Sequence, residues 1–348
     1  MTIKGQATVV KHTGSHYLLA QLPKWELFPA VLRGKIRLKG STATNPVAVG
    51  DVVTFEADVP EGASEAAIAD CVTLENPAAI TVVTPRKNYI IRKSTNLSRQ
   101  SHIIAANLDR AFIIATIDYP EIKLPFLDRI LVTCEVYNVP VTIVLNKVDL
   151  YRESHKEILE AFHEIYEGAG YPVMEVSALT GEGIDALREA CKNSVSLFSG
   201  VSGVGKSSLI KALDPSLDPR VGEISDVHLQ GKHTTTFYEM YALSSCHPEP
   251  SSCHFEPVPC HSEPVEESPG FIVDTPGLRG FGLVDLKKEE IALYFPEMLK
   301  ASEKCRFTPC THTHEPGCAV KEAVESGEIS YDRYSSYLGM LDEEGKYR

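Results

Sequence analysis

The sequence predicts a multidomain protein in three successive parts: an OB-type β-barrel over residues 1–75, a central α/β domain over 76–285 and a mainly helical C-terminal domain over 286–348. Three observations predict it. Residues 1–75 hold short apolar runs punctuated by Gly and Pro; from about residue 107 apolar runs alternate with helical stretches; past residue 305 Cys and His crowd into a turn-rich segment followed by further helical stretches. A chain of 348 residues has room for two or three domains with ample core. Its 43% hydrophobic content excludes a mostly disordered protein, and 23 Gly with 22 Pro exclude a collagen-like repeat. No apolar run reaches membrane-spanning length and MTIKGQATVV lacks a signal-peptide core, so a cytoplasmic protein with no membrane partner is expected.

In the first part, ATVV, HYLLAQL, AVLRGKIRL and VAVGDVVTFEAD read as strands, with another near AAIADCVTL. The net charge of −13 argues against general affinity for nucleic acid. Its distribution points the other way, because residues 1–50 carry seven basic residues (Lys4, Lys11, Lys24, Arg33, Lys35, Arg37, Lys39) against one acid, Glu26. Residues 76–100 add Arg86, Lys87, Arg92, Lys93 and Arg99 with no acid. Two readings stand side by side: a surface facing a polyanion such as RNA, or an ordinary solvated basic face.

The central part alternates the strands AFIIATID, VTIVLNKVD, YPVMEVSA, SVSLFSG and FIVDTPG with helical stretches such as 153–168 and 183–193, the pattern of βαβ units on a parallel sheet. One segment departs from it. SSCHPEP, SSCHFEP and VPCHSEP are three imperfect heptads within a low-complexity insertion over 244–269, and a proline in every unit forbids a continuous helix or central strand. Their Cys-His pairs read as duplicated sequence rather than a metal shell. Cys71, Cys134 and Cys191 stand alone and are expected to be buried small residues.

Gly200-Val201-Ser202-Gly203-Val204-Gly205-Lys206-Ser207 matches G-x-x-x-x-G-K-[ST] between the strand SVSLFS and the helical SLIKAL that starts at Ser208. Such a loop aims backbone N–H groups at phosphate oxygens, with Lys206 neutralising the β/γ-phosphates in a catalytic role and the Ser207 hydroxyl on Mg²⁺. Asn146-Lys147-Val148-Asp149 closes VTIVL: the carboxylate can accept both N1–H and the exocyclic amine of guanine, Asn146 can bridge base and phosphate loop, and the Lys147 stem can cover a ring face. Ser177-Ala178 would offer a backbone N–H to guanine O6. Asp274-Thr275-Pro276-Gly277 closes FIV, with Asp274 on a Mg²⁺-bound water and the Gly277 N–H facing the γ-phosphate. In Gly231-Lys232-His233-Thr234-Thr235-Thr236, Thr234 or Thr235 can reach Mg²⁺, and Thr235 is the assignment adopted. Leu278 stands where many GTPases place a water-orienting glutamine, which leaves His233 as the nearest candidate to position water, against the alternative of a structural histidine.

The motifs are those of a P-loop GTPase, but N-K-x-D and S-A precede the phosphate loop instead of following it: the central domain is circularly permuted. Downstream, Cys305, Cys310, His312 and Cys318 supply three thiolates and an imidazole within CRFTPCTHTHEPGC, a complete tetrahedral shell for one structural Zn²⁺, with His314 as the competing imidazole. Residues 285–300 read as an amphipathic helix interrupted by Pro296, and 319–326 and 330–342 as helices.

This order of motifs, with VAVGD in the barrel, QSHIIAANLDR leading into the central domain and EPGCAV before RYSSY, resembles the ribosome small subunit-dependent GTPase A (RsgA/YjeQ) family over nearly the whole chain. The resemblance implies a monomeric, late-acting assembly factor of the small ribosomal subunit. Its GTP form would dock, rRNA contact would stimulate hydrolysis and GDP would weaken docking; a zinc domain would add subunit contacts, and His233 would be the catalytic histidine. The heptad insertion between the two switch motifs departs from the family pattern. A nucleotide-gated RNA-binding module with impaired turnover is the competing expectation.

Overall fold

The computed structural model describes residues 1–33, 46–60, 68–93, 101–217, 238–244, 269–275 and 286–343. The N-terminal strands β1 (Thr2–Thr13), β2 (His16–Ala20), β3 (Leu27–Leu32), β4 (Val52–Asp58) and β5 (Ala78–Val83) follow the order β1-β2-β3-β5-β4, and β4 pairs back to β1 to close a five-stranded barrel. Alternation drives it: in β4, Val53, Phe55 and Ala57 point inward, and Phe55 meets Phe28 edge-on at 5.0 Å. Because β5 partners both β3 and β4, the barrel's pairing continues past residue 75, where its end was expected. The strand expected near AAIADCVTL is instead a helical turn, Ile68–Cys71. Ile68 and Val72, four residues apart, both reach the barrel core, and one turn of helix places them on the same face.

A hairpin of β6 (Tyr89–Lys93) and β7 (Ser101–Ala106) joins barrel to central domain. There β8 (Arg110–Ala115), β9 (Val141–Leu145), β10 (Val173–Glu175), β11 (Val195–Gly200) and β13 (Phe271–Asp274) form the expected parallel sheet, ordered β10-β9-β8-β11-β13, with β12 (Glu239–Ala242) antiparallel beyond β13. All five residues of β9 are buried, as a strand covered on both faces requires. The heptads fall in the connection between β12 and β13; residues 245–268 lie outside the described residues, while Leu243 N–H donates to the Gly270 carbonyl at 2.8 Å and closes the hairpin at its described end.

The barrel covers the sheet's β12 edge: β1 pairs with β12 at Lys11 and Glu239, whose side chains also form an ion pair of 2.7 Å. Two motifs that the sequence shows far apart meet here. Gly50 of VAVGD has φ +87°, and a Cβ on it would stand 2.0 Å from the Ala106 carbonyl oxygen, so only glycine admits this approach. Among the described residues most of the barrel's cations are engaged. Lys4 and Arg33 both contact Glu56, at 2.8 and 2.6 Å, Arg86 holds the buried Asp51, and Lys87 pairs with Asp109.

In the C-terminal domain the stretch 285–300 divides into Lys288–Ile291, the 3₁₀ turn Ala292–Tyr294 and Pro296–Ser302. Pro296 begins a helix, where its missing N–H costs nothing. Helices Ala319–Glu325 and Tyr331–Glu343 complete the lobe. It docks through Arg333, which is fully buried, lies 2.7 Å from Asp128 of helix Leu124–Val136 and is held by both oxygens of Glu297. The guanidinium also faces the rings of Phe295 (4.6 Å), Tyr171 and Tyr166. Burial works against its charge, but Asp128 and then Glu297 outweigh that and keep it protonated. No helix among the described residues is long and apolar enough to cross a membrane.

Candidate functional site

Parallel strands end at one edge of the sheet, and the described motif segments converge there. β11 ends at Gly200, and the following loop enters helix Lys206–Leu213. Gly203 and Gly205 both sit at φ +89°, and a Cβ on Gly205 would lie 2.4 Å from Asn146 Nδ2. That amide is the hub. Asn146, 1% exposed at the end of β9, donates from Nδ2 to the Val204 carbonyl at 2.8 Å and accepts from the Ala178 N–H at 3.1 Å. Three segments separated by tens of residues are thereby stitched side by side. The buried Tyr151 supports them by donating to the Asn146 carbonyl at 2.8 Å.

Asp149 remains exposed, with one carboxylate oxygen fixed by the Ser177 hydroxyl at 2.5 Å. An oriented, solvent-facing carboxylate is what a pair of coplanar donors on a purine edge requires. The Lys147 ammonium is held at both the Tyr119 carbonyl (2.5 Å) and the Gly203 carbonyl (2.7 Å). Lys206 lies 2.6 Å from Asp274 Oδ1 at the end of β13 and also donates to the Thr275 carbonyl. The neighbouring ends of β11 and β13 thus bring an ammonium, a carboxylate and the half-buried Ser207 into one locality. Oxygen donors of this type suit a hard cation such as Mg²⁺. Ser202 and Ser208 are exposed on the same loop and helix start. His233, Thr234, Thr235, Gly277 and Leu278 lie outside the described residues. Sequence reasoning did not single out Tyr119 or Tyr151; neither belongs to a motif, and both act through backbone carbonyls.

The second cluster is local. Ligand atoms of Cys305, Cys310, His312 and Cys318 all lie within 4.8 Å of one another, with His312 Nδ1 3.4 Å from Cys318 Sγ and Cys305 Sγ 4.0 Å from Cys318 Sγ. A tetrahedron built on zinc bonds of about 2.0–2.3 Å has edges of about 3.5–3.8 Å, so the four donors fit Zn²⁺. Of the two imidazoles, His312 is buried in the cluster, whereas the exposed His314 contacts Thr313. Burial first, then the neighbouring thiols, push the Cys310 pKa upward, and a cation bound among these groups would favour their thiolates instead. The loop is braced from helix Tyr331–Glu343, where Tyr334 donates to the His312 carbonyl at 2.6 Å and Tyr337 to the Thr311 carbonyl at 2.7 Å. Glu315 accepts the Thr311 and Thr313 N–H groups. Among the isolated cysteines, Cys134 and Cys191 are buried as expected, with thiols pushed up to about 12 by desolvation, while Cys71 is only half-buried.

The family model described as RsgA GTPase matches residues 83–247. A small ribosomal subunit biogenesis GTPase RsgA of Bacteroides fragilis is 47% identical over 98% of each chain. One of Porphyromonas gingivalis is 42% identical, covering 98% of this chain and 97% of its own. The crystal structure of YjeQ from Thermotoga maritima superposes with a TM-score of 0.73 at 29% identity, over 99% of this chain and 100% of that one. YloQ, described as a circularly permuted GTPase, superposes with a TM-score of 0.68 at 22% identity over 99% of this chain and 96% of its own, a likeness of fold.

Proposed function

This chain belongs to the RsgA GTPase family, and from that premise we propose that it hydrolyses GTP to GDP and phosphate on the small ribosomal subunit, as a late checkpoint in that subunit's assembly. The observation that carries the reading is Asn146, bonded at once to the phosphate loop through Val204 and to the S-A segment through Ala178. One side chain registers a base site against a phosphate site, as a single purine nucleotide demands.

In this proposal Asp149 accepts the guanine N1–H and amine, the Ala178 N–H serves O6, and the N–H groups from Gly203 to Ser208 receive the phosphates. Lys206 exchanges its contact with Asp274 for the β/γ-phosphates. The released carboxylate, the Ser207 hydroxyl and Thr235 are then the ligands assigned to Mg²⁺, directly or through water. When bound, that ion neutralises charge on the transferring phosphoryl group. His233 is assigned to orient the attacking water, and Gly277 to follow the γ-phosphate. Cys305, Cys310, His312 and Cys318 are assigned one structural Zn²⁺.

Contact with rRNA is assigned to the barrel and to the metal lobe, the protein acting as a cytoplasmic monomer. Lys300, Lys304 and Arg306 near the metal loop form no ion pair among the described residues, and the exposed Phe307 carries the Arg306 guanidinium 5.5 Å from its ring centre. A free cation beside an exposed ring suits phosphate and stacked base together. The barrel's surface pairs stabilise by only about 0–1 kcal/mol each, so phosphates can displace them.

Steady-state GTP hydrolysis with and without purified small subunits tests the function. Turnover is expected to rise sharply when subunits are added. Equal rates would remove the checkpoint, and binding without turnover in both cases would leave a nucleotide-gated RNA binder.

A further inference from the structure

The turn after β8 holds a tyrosine in a conformation that tyrosine seldom adopts. Tyr119 has φ +56°, in the left-handed region where a side chain crowds the backbone. The turn is tied down at several points. The Tyr119 N–H donates to Asp118 Oδ1 at 2.8 Å, the Thr116 hydroxyl donates to the Pro120 carbonyl at 2.5 Å, and the Ile122 N–H returns to the Thr116 carbonyl. The far oxygen of Asp118 faces His155 at 3.8 Å. A strained residue so thoroughly held usually has a task.

Its carbonyl shows what the task is. It accepts from the Lys147 ammonium, which the Gly203 carbonyl of the phosphate loop accepts on the same atom. Pro120 meanwhile stands beside that loop, its Cδ 3.6 Å from where a Cβ on Gly203 would lie. Lys147 is itself left-handed, at φ +67°. Two carbonyls from separate segments, each presented from a positive-φ residue, therefore fix the far end of one lysine whose near end is anchored at the close of β9.

The geometry points to Tyr119 as a positioning residue for the guanine nucleotide. Its backbone carbonyl pins the Lys147 ammonium so that the aliphatic stem is pre-set as one wall of the base site. The inference rests on the nucleotide reading above and adds an element outside the N-K-x-D, S-A and phosphate-loop motifs. Pre-setting the stem lowers the side-chain entropy lost on binding, so the effect falls on GDP and GTP alike, independent of the γ-phosphate.

The test is a double-mutant cycle read by the affinity of the full-length protein for a fluorescent N-methylanthraniloyl-GDP. Tyr119→Val, whose β-branch resists positive φ, is expected to weaken binding by about five- to tenfold. Tyr119→Gly, which takes that conformation freely, is expected to recover most of the loss. In a Lys147→Ala background Tyr119→Val should cost little further, because the group it positions is gone. Asp118→Ala, which frees the Tyr119 N–H, should repeat the pattern and stands in if the valine variant does not fold. The melting midpoint of each nucleotide-free variant separates a general loss of stability from this coupling. Wild-type affinity in both Tyr119→Val and Asp118→Ala, or deficits undiminished without Lys147, would overturn the inference. Failure of the wild-type protein to bind the probe would instead overturn the nucleotide reading itself.

Discussion

The nucleotide site and the metal lobe are built on opposite plans. The first gathers Asn146, Ala178, the phosphate loop with Val204 and Lys206, and Asp274 from four separate segments, and its geometry exists only because parallel strands end along one edge of a packed sheet. The second gathers all its donors between Cys305 and Cys318, on one short loop whose cysteines pack against the apolar core of the C-terminal lobe. The difference teaches where each site's stability resides. One is held by the packed sheet and would survive loss of its ligand; the other, in the proposed reading, is held by Zn²⁺ together with the apolar core of the lobe and two tyrosines of an adjacent helix.

The largest expected effect separates the two. Chelation should release one Zn²⁺ per chain and withdraw about 10 kcal/mol of binding free energy from the lobe. Hydrogen exchange should then accelerate across 305–343 while strands β8 to β11 stay protected. Uniform protection after chelation, or no zinc in freshly purified protein, would break the contrast.

Asp128→Ala tests the join between the two regions. It leaves the Arg333 guanidinium buried beside Glu297 alone, and one-sided removal of a buried partner costs about 3–5 kcal/mol. The melting midpoint should fall by several degrees, and Asp128→Leu with Arg333→Met should recover part of it. If Asp128→Ala melts like wild type, the lobe is not anchored there.

Lys206→Ala should have the smallest effect on stability and a specific one on binding. Removing one charge-assisted contact to phosphate should weaken GTP by on the order of 100-fold. The fold should be unchanged by circular dichroism, because among the described residues the Lys206 ammonium contacts only Asp274 and the Thr275 carbonyl. Retained GTP affinity would sever the link between this loop and phosphate.

Much of this architecture is legible in the sequence because strand alternation and glycine spacing are local. The barrel, the parallel sheet, the permuted order and the Cys₃His shell all follow from such patterns. What was illegible is equally specific. The run AAIADCVTL carries β-branched residues, and its four-residue spacing of Ile68 and Val72 fits one face of a helix as well as one of a strand; the structure takes the helical turn. The β6–β7 hairpin was missed because much of its apolar surface faces neighbouring domains. Lys4, Lys11 and Arg33 of the barrel looked free in one dimension, and the acids that engage them come from other strands, Glu239 being 228 positions from Lys11.

The sequence by itself determined the chemistry: which side chains stand at strand ends, in what permuted order, and that four soft donors share one short loop. Those follow from spacing, which a chain carries unfolded. Only the tertiary structure decided which charges remain free, why His312 and not His314 joins the thiols, and that Arg333 would lie against Asp128, 205 positions away. Each of these is a choice among partners distant along the chain, and burial settles it, because a charge or imidazole removed from water must take whatever neighbour packing brings within reach.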